Sequence, residues 1–241
     1  GRRRGRGGRG RGGRAGTAGR PKTSMAWLLS FLLLLVCALH AWRIARVNDQ
    51  PTEGDAFTYL RVAREVRDQR SAFPELRFYY SGAVERLQLP PLLMWQLALF
   101  PRAGYRALMQ LPMLTDLATA AIVAAGGAWV LGLEPGAAGL AGLVMLLTPI
   151  NATTTASLTP RPLGLLWFTL FGLAMARYGQ DGAPAWIAVA AACAALALLS
   201  QRMVTQVLLI LAPLVGTVLA LAGFPAYLHL VTAVLGGLAL A

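Results

Sequence analysis

The chain has 241 residues, of which 56% are hydrophobic and only 13% charged, and its mean hydropathy is +0.57. These values exclude an ordinary soluble domain and predict a polytopic membrane protein. The net charge of +12 does not indicate a nucleic-acid partner, because nine of the 22 basic residues lie in the first 22 positions. Without those nine charges, the formal charge falls from +12 to +3.

Residues 1–24 form an Arg/Gly-rich tail that cannot build a core, and we expect it to be disordered. It fits an RNA-binding segment or a basic patch on anionic lipid. It also fits sequence translated upstream of a start at Met25, which stands directly before the first hydrophobic run. RNA-binding segments of this kind interleave aromatic residues for stacking, and none occur here, so we favour the upstream-sequence interpretation and predict no nucleic-acid partner.

Residues 25–42 are an apolar run long enough to cross a bilayer of about 30 Å at about 1.5 Å per residue. Arg43 and Arg46 follow it in place of a small-residue cleavage site, which predicts a retained first span. Residues 43–88 then form a predicted extracytoplasmic loop. The positive-inside rule supports that orientation if the basic tail is kept and opposes it if the chain starts at Met25, so charge alone leaves the topology open.

The loop is the most charged part of the chain after the tail, because seven of the ten acidic residues lie between Asp49 and Glu85. Within it, residues 55–70 place apolar side chains at three- and four-residue spacing, which predicts an amphipathic helix. Gly54-Asp55 is a favourable helix start, with Asp55 as a cap that accepts backbone N–H bonds.

The remainder of the chain is a series of apolar runs. Residues 89–100 are too short to span a bilayer and predict an interfacial or re-entrant helix opened by Pro90-Pro91. The first run, 25–42, and six further runs after residue 100 together predict about seven spans. We therefore expect an all-α, polytopic transmembrane helical bundle with a helical first loop. The further runs are 107–133, 137–150, 163–176, 184–200, 203–222 and 226–241. Because the chain stops inside an apolar run, we expect residues 25–241 to be the amino-terminal part of a larger protein.

Four motifs follow one another in and after the loop, namely Gly54-Asp55, Tyr59-Leu60-Arg61, Tyr79-Tyr80-Ser81-Gly82 and Leu89-Pro90-Pro91-Leu92. Their order resembles that of the GT-C superfamily of membrane glycosyltransferases. The Asp-x-x-x-Tyr-x-Arg order is most similar to oligosaccharyltransferase catalytic subunits, with protein O-mannosyltransferases and aminoarabinose-type lipid transferases as neighbours.

The resemblance implies a multi-pass integral membrane enzyme, located in the plasma membrane if the source is prokaryotic. It would move a sugar or glycan from a polyprenyl-phosphate-linked donor to a protein, lipid or glycan acceptor. Its catalytic carboxylate would be Asp55, which would deprotonate an acceptor hydroxyl or hold a divalent metal such as Mg²⁺ or Mn²⁺. There are two alternatives. Asp55 would only cap the helix, or the catalytic carboxylate would be Asp49 or Glu53.

Three further sets of residues complete the predicted site. Tyr59 and Arg61 would orient Asp55 or face the donor. Arg161 and Arg202 lie at the mouths of spans, in LTPRPLG and SQRMVTQ, where a cation suits a lipid-linked phosphate or anchors the helix end in the interface. Asp116 lies inside the second span, where an ionisable group is by default functional, although a cap near the interface also fits it.

Two observations bear on other functions. Residues 151–162 lack the second acidic pair that the family places there, which argues against a two-carboxylate metal site. The same absence leaves an inactive fragment as an alternative interpretation of the chain. A transporter or lipid-carrier flippase would place its polar groups at the bilayer midplane on broken helices, commonly with internal repeats. This chain has its polar residues mainly at the predicted membrane surface and no visible repeat, so we favour the enzyme.

Overall fold

The computed structural model describes residues 35, 36, 38, 39, 42, 45, 54–77, 84–86, 90–147, 158–224 and 228–241. Helices dominate this part of the chain, which confirms the predicted all-α class. A π-helical turn, Val207–Leu211, joins the helices Arg202–Gln206 and Ala212–Leu221. The helices described are α1 (Gly54–Asp68), α2 (Leu92–Ala98), α3 (Tyr105–Leu108), α4 (Gln110–Trp129), α5 (Pro135–Leu147), α6 (Arg161–Asp181), α7 (Ala185–Leu198), α8 (Arg202–Gln206), α9 (Ala212–Leu221) and α10 (His229–Leu240).

The predicted loop contains a short hairpin that the sequence did not indicate. Strand β1 (Glu75–Arg77) pairs antiparallel with β2 (Val84–Arg86), with Leu76 opposite Glu85. Strands of three residues are too short for an alternating pattern to be distinguished from an irregular loop.

Helix α1 confirms the predicted amphipathic helix in this region. It buries Ala56, Val62 and Ala63, and these side chains share a cluster with residues of α2. The predicted cap position is wrong, because the helix begins at Gly54 and Asp55 lies in its first turn rather than before it. A carboxylate in the first turn is still favoured there by the helix dipole.

Helix α2 begins directly after Pro90-Pro91, as predicted for the short apolar run. Proline fits this position because its fixed φ suits a helix start and the first N–H groups of a helix have no partner within it. The Leu92 N–H donates to the Leu199 carbonyl oxygen over 3.0 Å, which ties α2 to the end of α7.

Helices α4 to α7 run alternately up and down. Helices α4 and α5 are antiparallel, because Gly142 lies against Ala120 and Gly127 lies against Ala138. Helices α4 and α6 are parallel, since Gly126 contacts Leu173 and the Gln180 amide donates to the Val130 carbonyl oxygen.

The last helices continue this alternation. Helix α7 runs back along α6, so that Gln201 lies against Gly164. Helices α8 and α9 lead away from that corner, and α10 returns beside α7, with Gly237 against Ala194. At the far end of the bundle, the His229 ring meets the Tyr178 ring edge to face at 5.1 Å.

Two helical segments are long and apolar enough to cross a membrane. They are Tyr105–Trp129, with 25 residues and a mean hydropathy of 1.5, and Arg202–Leu221, with 20 residues and a mean hydropathy of 2.3. Three shorter apolar helices, α5, α7 and α10, measure about 20 Å at 1.5 Å per residue, which is less than a hydrocarbon core of about 30 Å. Two of the seven predicted spans are therefore both long and apolar enough to cross a membrane among the described residues, and the first predicted span lies largely outside them.

The buried side chains form two clusters along the bundle. The first joins α1 and α2 to the start of α4, through Met109 and Met113, and to Leu158 and Leu163. The second lies between α6, α7 and α10 and includes Phe171. Through the first cluster, the charged helix α1 packs against one end of the bundle, and the candidate site lies at that end.

Candidate functional site

An open cavity of about 180 Å³ lies where α1 meets the bundle. Its lining comes from three separate stretches of the chain, together with Pro90 at the start of α2. These residues are Asp55, Tyr59, Pro90, Thr159, Pro160, Arg161, Gln201, Arg202 and Met203. Four of the five predicted site residues, Asp55, Tyr59, Arg161 and Arg202, therefore lie around one cavity.

Helix α1 supplies Asp55 and Tyr59. The two residues are four positions apart, which places them on the same face, one turn after the other. Asp55 is exposed and Tyr59 is half-buried. Ala56 and Ala63 are buried in the first cluster, so the packing of α1 sets the direction in which this face points.

Helix α6 supplies Arg161, its first residue. Leu158 and Leu163, on either side, are buried in the same cluster as α1. The Arg161 backbone N–H donates to Thr159 Oγ1 over 3.5 Å, and the Gly164 N–H donates to the Pro160 carbonyl oxygen over 3.1 Å. The start of α6 is thus fixed next to α1, with its cation at the cavity.

The corner between α7 and α8 supplies Arg202. Gln201 is extended, with φ −156° and ψ 134°, and this residue separates the two helices. Thr205 Oγ1 donates to the Gln201 carbonyl oxygen over 3.0 Å. A Cβ on Gly164 would lie 3.0 Å from Gln201 Cβ, so glycine at this position allows the corner to approach α6 closely. That approach brings Arg202 and Arg161 to one cavity.

Tyr59 responds to the charges around it. Burial raises the pKa of its phenol, the negative charge of Asp55 raises it further, and the positive charge of Arg161 opposes both effects. The phenol is therefore a neutral hydrogen-bond donor at physiological pH. One carboxylate and two guanidinium groups line the cavity, which leaves an excess of positive charge suited to an anion.

The cavity can bind a phosphate and accept a proton. Guanidinium groups bind phosphate oxygens with charge-assisted hydrogen bonds, and a carboxylate can take a proton from a hydroxyl. No group of three or more His, Cys, Asp or Glu side chains that would hold a metal occurs within the described ranges. Asp55 is the carboxylate among the lining residues, and Thr159 and Gln201 add neutral oxygen atoms to the same lining.

The remaining predicted residues lie elsewhere. Arg61 is exposed on α1 and does not line the cavity. Asp49, Glu53 and residues 79–82 and 151–157 lie outside the described residues. Asp116 lies in the middle of the Tyr105–Trp129 segment and is only 2% exposed, so it does not cap a helix end.

Sequence reasoning missed Thr159, Gln201 and Met203 as cavity residues. Thr159 and Gln201 stand within two positions of the arginines that were selected, at the mouths of the same apolar runs. Polar residues beside a basic residue at the end of a span were therefore the available signal.

No protein-family model matches this chain, and no curated protein sequence matches it significantly. The resemblance to membrane glycosyltransferases therefore depends on the sequence motifs alone.

Proposed function

We propose that this chain is a multi-pass membrane glycosyltransferase of the GT-C type. It would move a sugar or glycan from a polyprenyl-phosphate-linked donor to a protein, lipid or glycan acceptor. The observation that carries the proposal is the gathering of Asp55, Tyr59, Arg161 and Arg202 around one cavity from three separate stretches of chain.

The alternating helices support a membrane-spanning bundle. The starts of α6 and α8 and the end of α7 lie at the cavity end, while the α6–α7 turn and the start of α10 lie at the other. A bundle that crosses the bilayer in this way has the cavity at one membrane surface. A lipid-linked phosphate sits at that level, because its headgroup stays at the interface and its polyprenyl chain remains in the hydrocarbon.

The lining residues would divide the chemistry between them. The Asp55 carboxylate takes the proton of the acceptor hydroxyl as that oxygen forms its bond to the anomeric carbon. The bond between this carbon and the phosphate oxygen breaks, and the phosphate leaves with the electron pair. Arg161 and Arg202 stabilise the departing negative charge, and the neutral Tyr59 phenol donates a hydrogen bond to it.

A divalent cation is compatible with this arrangement. In that case Asp55 would hold the ion instead of taking the acceptor's proton, with neutral oxygens from Thr159 and Gln201. Bound there, the ion would offset the charge of the phosphate. The arginines already supply part of that offset.

The proposal is tested by replacing Asp55 with asparagine in the full chain, in membranes supplied with labelled polyprenyl-phosphate sugars. We expect Asp55→Asn to reduce the release of polyprenyl phosphate at least about 100-fold, the lower range for loss of a general base. The matched control is Asp68→Asn, which changes an exposed carboxylate of the same helix that pairs with Arg67. Wild-type turnover in Asp55→Asn, at equal membrane insertion, would contradict the catalytic assignment.

The second candidate is a transporter or flippase for the lipid carrier. One observation favours it, namely that Asp116 is buried at the middle of a candidate span, where transporters place coupling residues. The same membranes separate the two functions. A flippase predicts that Asp116→Asn stops movement of polyprenyl phosphate between leaflets while Asp55→Asn leaves it intact.

A further inference from the structure

A second cavity, of about 240 Å³, opens elsewhere along α1, beside the residues that lead into α4. It shares no lining residue with the Asp55 cavity. Most of its lining is apolar and includes Leu60, Leu97, Phe100 and Leu108, and the charged side chains that line it are Arg64 and Arg67.

This cavity lies at the start of a candidate membrane span. Tyr105 and Leu108 both line it and form the first turn of the segment Tyr105–Trp129. The two residues that end the α2 region, Leu99 and Phe100, are 75% and 48% exposed. Exposed apolar side chains next to a span start are typical of the level where headgroups meet hydrocarbon.

The surroundings of the cavity are basic. Arg64 and Arg67 are exposed on α1, and Arg102 and Arg106 are exposed on the segment that follows Phe100. The carboxylates on the same part of α1 are Asp68, 3.2 Å from Arg67, and Glu65, which accepts a bond from Gln69 over 2.9 Å. Positive charge therefore exceeds negative charge here, at the rim of an apolar cavity.

We propose that this cavity binds an anionic phospholipid of the surrounding bilayer. The phosphate interacts with the guanidinium groups of Arg64 and Arg67, and an acyl chain lies along Leu97, Phe100 and Leu108. Charge complementarity selects an anionic headgroup, because guanidinium binds phosphate oxygens strongly, and the apolar lining selects a lipid over a free anion. The inference uses the membrane-spanning part of the proposed function and is independent of sugar transfer.

The experiment measures lipid binding to the detergent-purified full chain by native mass spectrometry. The probes are dioleoyl-phosphatidylglycerol and dioleoyl-phosphatidylcholine, which have the same acyl chains. We expect the wild type to prefer phosphatidylglycerol. Since one arginine near an anionic headgroup contributes roughly fivefold in affinity, Arg64→Gln/Arg67→Gln is expected to bind phosphatidylglycerol roughly 25-fold more weakly.

Two controls make the result specific. Arg70→Gln/Arg177→Gln removes the same charge at positions that do not line the cavity, and it should bind as the wild type does. Arg64→Lys/Arg67→Lys keeps both charges and should retain most of the preference, which also provides a folded comparison if the glutamine variant is unstable. Sugar transfer is measured in parallel, so its failure is distinguishable from loss of lipid binding.

Three outcomes would overturn the inference. The first is a wild type that binds both lipids equally, a result that needs no variant. The second is an equal loss of binding in the control pair, which would indicate a general charge effect. The third is full displacement of phosphatidylglycerol by millimolar inorganic phosphate, which would indicate a site for a free anion.

Discussion

Tyr59 is the residue whose chemistry the surrounding structure changes most clearly. It interacts electrostatically with the Asp55 carboxylate and the Arg161 guanidinium, and burial of its side chain is the largest cause of its raised pKa. The folded state therefore holds the phenolic proton more tightly than the unfolded chain, whose tyrosines ionise near their ordinary pKa of about 10. The stability from this difference is fully present below that value and is lost as pH rises through the folded pKa.

A Tyr59→Phe variant should consequently lose less stability than the wild type as the pH is raised above about 10. Thermal unfolding midpoints in detergent, recorded at a series of alkaline pH values, measure the difference. Tyr178→Phe is the matched control, because it removes a hydroxyl at the other end of the bundle and keeps the ring that meets His229. A Tyr59→Phe curve parallel to that of the wild type would show that Tyr59 does not titrate in this way.

Of the predicted site residues Tyr59 and Arg61, only Tyr59 lines the cavity, and the sequence alone could not distinguish them. Both stand in the same short motif, and the resemblance assigned both to the site. Helical geometry separates them by about 200° around the axis, since each residue turns by about 100°. Only the packing of α1 on α2 decides that the Asp55–Tyr59 face lines the cavity and that Arg61 does not.

At the scale of elements, glycine determines how closely α4 and α5 approach. A Cβ at Gly142 would lie 2.6 Å from the Ala120 carbonyl oxygen, and a backbone atom cannot move aside without moving its helix. Small residues at such crossings are typical of packed membrane helices, where close van der Waals contact stabilises the pair.

Gly142→Ala should therefore destabilise the bundle by about 1–3 kcal/mol, the usual cost of overpacking, reduced by the better helix propensity of alanine. Gly172→Ala is the control, because a Cβ there meets nothing within 4 Å. That variant should be neutral or slightly stabilising. Unfolding midpoints of the two variants measured together test the contact, and equal midpoints would contradict it.

The turn between α6 and α7 is held by interactions of the Asp181 carboxylate that the sequence did not predict. Asp181 accepts bonds from the Ala183 N–H and from Trp186 Nε1, each over 3.0 Å, and pairs with Arg177 at 3.2 Å. The bond from the Ala183 N–H is the main cause that lowers the pKa of the Asp181 carboxyl. Gly182, with φ +67°, makes the left-handed turn that ends α6.

At the scale of the whole molecule, the alternating helices place three positions on two sides of the bundle. Arg102 lies at the cavity end, next to the start of α4, whereas Leu131 and Ala185 lie at the other end, after α4 and at the start of α7. All three are exposed. If the bundle crosses the bilayer as proposed, the first residue and the other two face opposite compartments.

Single cysteines at these positions test the arrangement in a background without Cys37 and Cys193. In sealed membrane vesicles, a membrane-impermeant maleimide should label either Arg102→Cys alone or both Leu131→Cys and Ala185→Cys. Detergent should make all three reactive. Labelling of all three in sealed vesicles, or of Leu131→Cys without Ala185→Cys, would exclude the proposed crossing.

The sequence alone determined the all-α class, the helical character of α1, the start of α2 after Pro90-Pro91 and most helix positions. These features depend on local hydropathy, periodicity and proline geometry, which a short window of sequence contains. Only the tertiary structure decided which helix ends share one end of the bundle. The cavity depends on contacts between residues far apart in the chain, such as Gly164 with Gln201 and Leu92 with Leu199, because close backbone approach has no signature within either segment.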